Sequence, residues 1–161
     1  MEKFRIYLDA NIIYGFFLAK VKFLKGKVPQ FVEPKIIGFL KLNLQKMDLF
    51  VSCVAKAEIF RRLKTEWDLD TMTIFSLWNE LKTFINIDEI DEVVVTDEIV
   101  TIVSKEKFKK RITNIIHLVS AKNNDLYFIT GDKEIVSKCK KFYPKTLSYI
   151  ELRNLLEGVE N

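Results

Sequence analysis

The chain has 161 residues, 48% of them hydrophobic and 30% charged, and 26 Lys and Arg against 22 Asp and Glu give it a net charge of +4. That length buries one good core and is short for two ordinary domains, so a single domain over residues 1–161 is expected. Five Gly, three Pro, two isolated Cys and one His exclude flexible linkers, a disulfide framework and a zinc site of the usual ligand count.

Residues 4–9, FRIYLD, alternate and are rich in β-formers, which predicts a strand ending at Asp9 and then a helix over 10–20. Ile36, Ile37, Leu40 and Leu44 fall on one face of a helix predicted over 33–46, with Pro34 at its start. LFVSCV (49–54) reads as a short buried strand leading into a helix over 55–67. The Ile74, Leu77, Trp78, Leu81 and Ile85 spacing predicts another helix over 71–85, opening on a Thr71 cap. A short strand near 93–95, helices over 97–109 and 112–122, and the strand LYFIT (126–130) follow. A short helix after Asp132, an extended piece near Thr146 and a final helix capped by Ser148 and Glu151 complete the chain. Strands alternating with helices specify an α/β fold: a three-layer α/β/α domain with a central parallel sheet.

The N-terminal residues Glu2, Lys3, Arg5 and Asp9 interrupt any apolar run long enough for a signal peptide or a membrane span, so a cytoplasmic protein with no membrane association is expected. Cys53 and Cys139 read as small core residues. Lysines concentrate at 20–27, 105–111 and 138–141; such runs ordinarily read as a solvated face, and Phe23 and Phe108 inside them add weight to a polyanionic partner such as RNA. The segment 20–33 reads either as a basic flap over a groove or as a connecting loop.

Ligands of a parallel sheet bind outside the carboxyl ends of its strands. Asp9, Glu58 and Asp132 all follow predicted strands, and Asn114 opens the helix that leads into LYFIT. Each has a plain alternative: Asp9 as a helix cap, Glu58 as a solvent-facing helix residue, Asp132 as a turn residue after Gly131, and Asn114 as a cap. Converging acids repel unless a cation sits among them, and oxygen ligands select Mg²⁺ or Mn²⁺, which activate water for attack at phosphorus. The sequence has no nucleotide-binding glycine loop and no nucleophilic triad in a familiar pattern. Asp125 precedes its strand and belongs to the opposite sheet edge, and Asp97 and Glu98 read as first-turn helix acids.

In the order and spacing of these segments the chain resembles the PIN-domain nucleases, and among them the VapC-type toxins of type II toxin–antitoxin pairs. IYLDANIIYGFF is similar to the family's opening strand and first Asp; VSCVAKAEIFRRL to the segment carrying its Glu; ITNIIHLVSAKNNDLYFITGDKEI to its closing segment, a helix leading to a strand that ends in T-x-D. The resemblance implies a metal-dependent ribonuclease in which Asp9, Glu58 and Asp132 bind Mg²⁺ or Mn²⁺, Asn11 is a polar support and Thr130 shapes the site. It further implies a homodimer and a small antitoxin that occludes the groove, with Phe16, Phe17, Phe39 and Trp67 as candidate contact residues, although each reads more readily as core.

Asn114 departs from the pattern, because the family's third Asp belongs there. Its carbonyl oxygen is a ligand without charge, which weakens metal binding. A weakened enzyme, a member kept for binding, and a substitution introduced to silence activity all fit. His117, three residues on, shares that helical face and reads either as a group reaching substrate phosphate or aiding proton transfer, or as a histidine packed among Ile116, Leu118 and Val119. Lys109, Lys110 and Arg111 are candidate anchors for RNA backbone. The alternative from another class is a catalytically silent PIN-fold module that binds RNA or protein. An acidic-site phosphatase fits less well, since the second acid it needs two residues after Asp9 is Asn11.

Overall fold

The computed structural model describes residues 3–90, 97–105 and 112–158. Its strands β1 (Phe4–Leu8), β2 (Met47–Ser52), β3 (Ile87–Ile90), β4 (Tyr127–Ile129) and β5 (Thr146–Leu147) form one all-parallel sheet in the order β3-β2-β1-β4-β5. The helices among the described residues are α1 (Ala10–Leu24), α2 (Lys35–Leu42), α3 (Cys53–Trp67), α4 (Thr71–Ile85), α5 (Asp97–Lys105), α6 (Thr113–Asn123), α7 (Lys133–Cys139) and α8 (Tyr149–Glu157).

Both faces of the sheet are covered because successive strand residues point opposite ways. Ile6 and Leu8 of β1, Leu49 and Val51 of β2 and Ile129 of β4 join one core with residues of α1–α4 and α8. Tyr7 and Phe128 point the other way, into a second core built with α5, α6 and α7. The expected three-layer α/β/α arrangement is therefore the observed one.

The strand order positions the site. From β1 the chain steps to β2 and β3 on one side, then crosses back to place β4 against the other side of β1, with Leu8 opposite Ile129. The connections leaving β1 and β4 diverge, and that divergence opens a crevice at their carboxyl ends, where open α/β sheets take their ligands.

Several local expectations change. β2 spans 47–52 rather than 49–54, because the Ser52 hydroxyl accepts from the Ala55 amide and starts α3 there. Cys53 is consequently the first helical residue and exposed, not a core residue; Cys139 is buried as expected. α4 is capped by Asp70, one residue before Thr71, through its bond from the Thr73 amide. α2 is shorter than 33–46 and ends at Leu42, freeing 43–46 for the turn into β2. The Ser148 and Glu151 capping box is present, and Asp125 is a turn residue at φ 53°.

Part of the 20–33 segment is helix, since α1 runs on to Leu24. At 1.5 Å per residue, α1 carries that basic end about 21 Å from Asp9. The loop after it packs back on α1: Phe31 meets Phe16 edge-on, and Val28 and Val32 line a small pocket with Gly15 and Ala19. Lys20 stands over the Phe31 ring and Lys27 over that of Trp67, while Lys25 bonds the Trp67 carbonyl at 2.7 Å. It is a connecting loop, not a flap over the crevice. Phe16 and Phe17 are fully buried, and Phe39 and Trp67 pack against the core, so these four do not form an exposed contact surface.

The expected strand at 93–95 lies outside the described residues, as does the end of the helix expected over 97–109. No helix among the described residues is long and apolar enough to cross a membrane. Phe128, fully buried against Tyr7 at a ring separation of 5.8 Å, is central to the second core. Phe128→Ala is expected to cost about 3–5 kcal/mol in urea unfolding, whereas Leu24→Ala at the exposed end of α1 is expected to stay within about 0.5 kcal/mol.

Candidate metal centre and nucleic-acid cleft

A cleft of about 630 Å³ lies over the carboxyl ends of β1, β2 and β4 and is lined by Asp9, Asn11, Glu58, Thr113, Asn114 and Asp132, with Arg61, Arg62 and Glu66 on its α3 wall. The structure thus gathers Asp9, Glu58, Asn114 and Asp132, drawn from four separate segments between residues 9 and 132, around one space.

Asp9 sits where β1 passes into α1. It occupies the capping position, yet its side chain makes no capping hydrogen bond to the helix. Instead Oδ2 accepts from the Asn11 amide at 2.7 Å and from the Thr130 hydroxyl at 2.6 Å. Asn11 is itself fixed, because its Oδ1 accepts from the Gly131 amide at 2.9 Å. A methyl group at Gly131 would stand 3.2 Å from that oxygen, so the close backbone approach that holds Asn11 favours glycine. Thr130 also accepts from the Asp132 amide. Asn11 and Thr130 therefore orient Asp9 and the turn that carries Asp132.

Asn114 is the second residue of α6, and the residue before the helix, Ile112, is already in helical conformation, so Asn114 is not a cap. Its Nδ2 donates to Asp132 Oδ2 at 3.0 Å, while Asp132 Oδ1 accepts the Glu134 amide and caps α7. An amide at this position bridges to a carboxylate that a second carboxylate would repel.

His117 is fully buried, yet it belongs to the acids rather than to an apolar pocket. Its Nδ1 lies 2.7 Å from the Tyr7 hydroxyl, which lies 2.6 Å from Ser52 Oγ. Its Nε2 faces Glu58 Oε2 at 3.4 Å and Asp9 Oδ1 at 3.8 Å. Donor atoms of Asp9, Glu58 and His117 all lie within 4.8 Å of one another. The ring lies beneath the acids and outside the residues that line the cleft.

The two carboxylates are driven apart electrostatically. Burial pushes the Asp9 carboxyl up from its ordinary value, more than His117 and the Thr130 bond pull it down. Glu58, about a quarter exposed, is held below its ordinary value, first by its hydrogen bond to His117. One carboxylate is stabilised as an anion and the other lacks positive charge, which is what an added cation would supply.

Arg61 and Arg62 were not anticipated, although EIFRR places them three and four residues after Glu58, on its side of α3. Arg62 lies flat on Tyr14 at 3.4 Å and bonds Glu66 at 2.9 Å. Arg61 is exposed and has no ion-pair partner among the described residues. The expected anchors Lys109, Lys110 and Arg111 lie outside the described residues.

Because burial raises the Asp9 pKa, Asp9 is neutral in both folded and unfolded chains well below pH 3.8, and its ionisation penalises the fold as pH rises through the raised folded value. Asp9→Asn is therefore expected to raise the Tm at neutral pH by a few degrees, with the advantage vanishing near pH 3 in scanning calorimetry.

Comparison of the chain with protein-family models and with curated proteins gives no match, so a functional reading rests on the chemistry of this cleft.

Proposed function

We propose that this chain is a metal-dependent endoribonuclease of the PIN-domain type, its cleft the active site. The observation that carries this reading is the convergence of Asp9, Glu58 and Asp132 on one cleft at the divergence of β1 and β4. The donor set suits a divalent cation: clustered carboxylates, one of them with its pKa raised by burial, need a positive charge between them. Asp9 and Glu58 would hold Mg²⁺ or Mn²⁺, with Asp132 and Asn114 on the facing wall. Bound there, the ion supplies charge neutralisation at phosphorus and a water acidic enough to attack at neutral pH.

The chain's own residues would do the rest. Asn11 and Thr130 hold Asp9 in one orientation. Glu58, stabilised as an anion, provides charge at the cleft mouth. Arg61 presents a guanidinium to a backbone phosphate at the same wall. The toxin role, a homodimer and a small antitoxin that fills the cleft belong to this proposal through the resemblance to VapC-type proteins.

One observation favours a second reading, a module that binds RNA without cutting it. Asn114 brings no charge, and its amide already satisfies Asp132. The test is cleavage of a mixed RNA pool in Mg²⁺ and in Mn²⁺. Asn114→Asp is expected to raise metal-dependent cleavage about tenfold or more, and Asp9→Ala in that background to abolish it. Absence of cleavage by all three proteins, with RNA binding retained, would replace the enzyme with the binding module.

Asn114→Asp also places a carboxylate where Nδ2 now lies 3.0 Å from Asp132. Its Tm in EDTA is expected to fall below that of the parent chain and to recover on adding Mn²⁺. Arg61→Ala is expected to weaken RNA binding and flatten its salt dependence by about one phosphate contact, measured by fluorescence anisotropy in EDTA.

A further inference from the structure

We propose that His117 is itself a direct ligand of the ion, making the primary donor set Asp9 Oδ1, Glu58 Oε2 and His117 Nε2 and the preferred ion Mn²⁺ over Mg²⁺. This rests on the reading of the cleft as a metal site, and it changes that site's chemistry from oxygen-only to mixed nitrogen and oxygen.

Three observations lead here. The first is distance. His117 Nε2 makes a long hydrogen bond to Glu58 Oε2 at 3.4 Å and stands 3.8 Å from Asp9 Oδ1, both longer than the roughly 2.7–3.2 Å of an optimal N–H···O bond. Neighbouring ligands at about 2.1 Å from one ion stand about 3.0 Å apart. A small inward movement of three side chains whose donor atoms already lie within 4.8 Å of each other closes them on a cation.

The second is orientation. A histidine that ligates through one ring nitrogen is fixed by a hydrogen bond at the other. Here Nδ1 is held by Tyr7, Tyr7 by Ser52, and Ser52 by the Ala55 amide at the start of α3. In the ion-bound form, with Nδ1–H donating to the Tyr7 oxygen and Tyr7 donating to Ser52, the Nε2 that otherwise bonds Glu58 offers its lone pair to the cation between the carboxylates. The ring is fully buried.

The third is the state of Asp132. Its two oxygens are engaged by Asn114 and by the Glu134 amide, and it does not join the cluster that Asp9, Glu58 and His117 form. Asp132 then acts from outside the primary set. An imidazole in place of a carboxylate disfavours Mg²⁺, which takes oxygen ligands, and suits Mn²⁺ and other transition metals better.

The test uses the untagged full chain and Mn²⁺ alone. Electron spin-echo envelope modulation of bound Mn²⁺ is expected to show the ¹⁴N couplings of a coordinated imidazole; His117 is the one histidine in the chain, so the signal assigns itself. Calorimetric titration is expected to show Mn²⁺ bound more tightly than Mg²⁺. Tyr7→Phe is expected to weaken Mn²⁺ binding about 10- to 100-fold and Mg²⁺ binding much less. Mn²⁺ bound without nitrogen modulation overturns the role of His117 and leaves the nuclease reading standing. No Mn²⁺ binding overturns both, and equal loss of the two ions in Tyr7→Phe reduces Tyr7 to a structural residue and counts against the imidazole ligand.

Discussion

Two carboxylates held near one another in a poorly solvated crevice are the constraint on which this structure turns. At an effective dielectric near 20, a pair of like charges 4 Å apart costs about 4 kcal/mol, and Asp9 is buried while Glu58 is partly so. The surrounding residues answer that cost in different ways. Thr130 and Asn11 donate hydrogen bonds to Asp9, and His117 turns its Nε2 toward both acids. The compensation is uneven, since Asp9 stays raised while Glu58 is lowered. Such a residue of unmet negative charge is destabilising by itself, and it persists where a site needs it.

The sheet topology explains why the acids meet at all. β1 and β4 are adjacent and parallel although about 120 residues separate them, so the residues just past their carboxyl ends are neighbours in space. β2 lies on the other side of β1 and aims α3 over the same end, which brings Glu58 and the two arginines across the crevice. A shift in any of these registers would move side chains to the wrong face of the sheet, so the packing of Tyr7, Phe128 and Ile129 positions the site as firmly as the polar bonds do.

Much of this was legible in the sequence, for physical reasons. Central parallel strands are apolar on both faces and helices repeat at 3.6 residues, so β1, β2, β4 and most helices were visible. β3 was not, because IDEI carries two acids: it is an edge strand, and Glu89 is held down to about 2 by Trp78, Lys56 and Lys82, whose hydrogen bonds outweigh the cost of burial. The carboxylates were legible because each follows a strand. The Ser52, Tyr7, His117 chain was not, since a tyrosine in a strand and a serine at its neighbour's end read as ordinary core residues until the parallel pairing of β1 with β2 and the packing of α6 bring them together. The alternative of a cap at Asn114 falls for the same reason: its side-chain partner, Asp132, lies 18 residues away and is near only in the fold.

Asn114 and His117 then describe a single trade. An acid at position 114 would add a fourth carboxylate to the crevice, directly beside Asp132; the amide there replaces repulsion with a hydrogen bond at 3.0 Å. Under the proposed metal reading, what the crevice loses in negative charge toward a cation it regains in a nitrogen donor aligned by Tyr7 about one turn further along the same helix. The two positions lie three residues apart on α6, so one helix carries both the group that lowers the charge of the site and the group proposed to compensate its affinity for a cation. A site arranged this way holds its shape without an ion more readily than a four-carboxylate site does, because fewer of its charges depend on that ion to stay together.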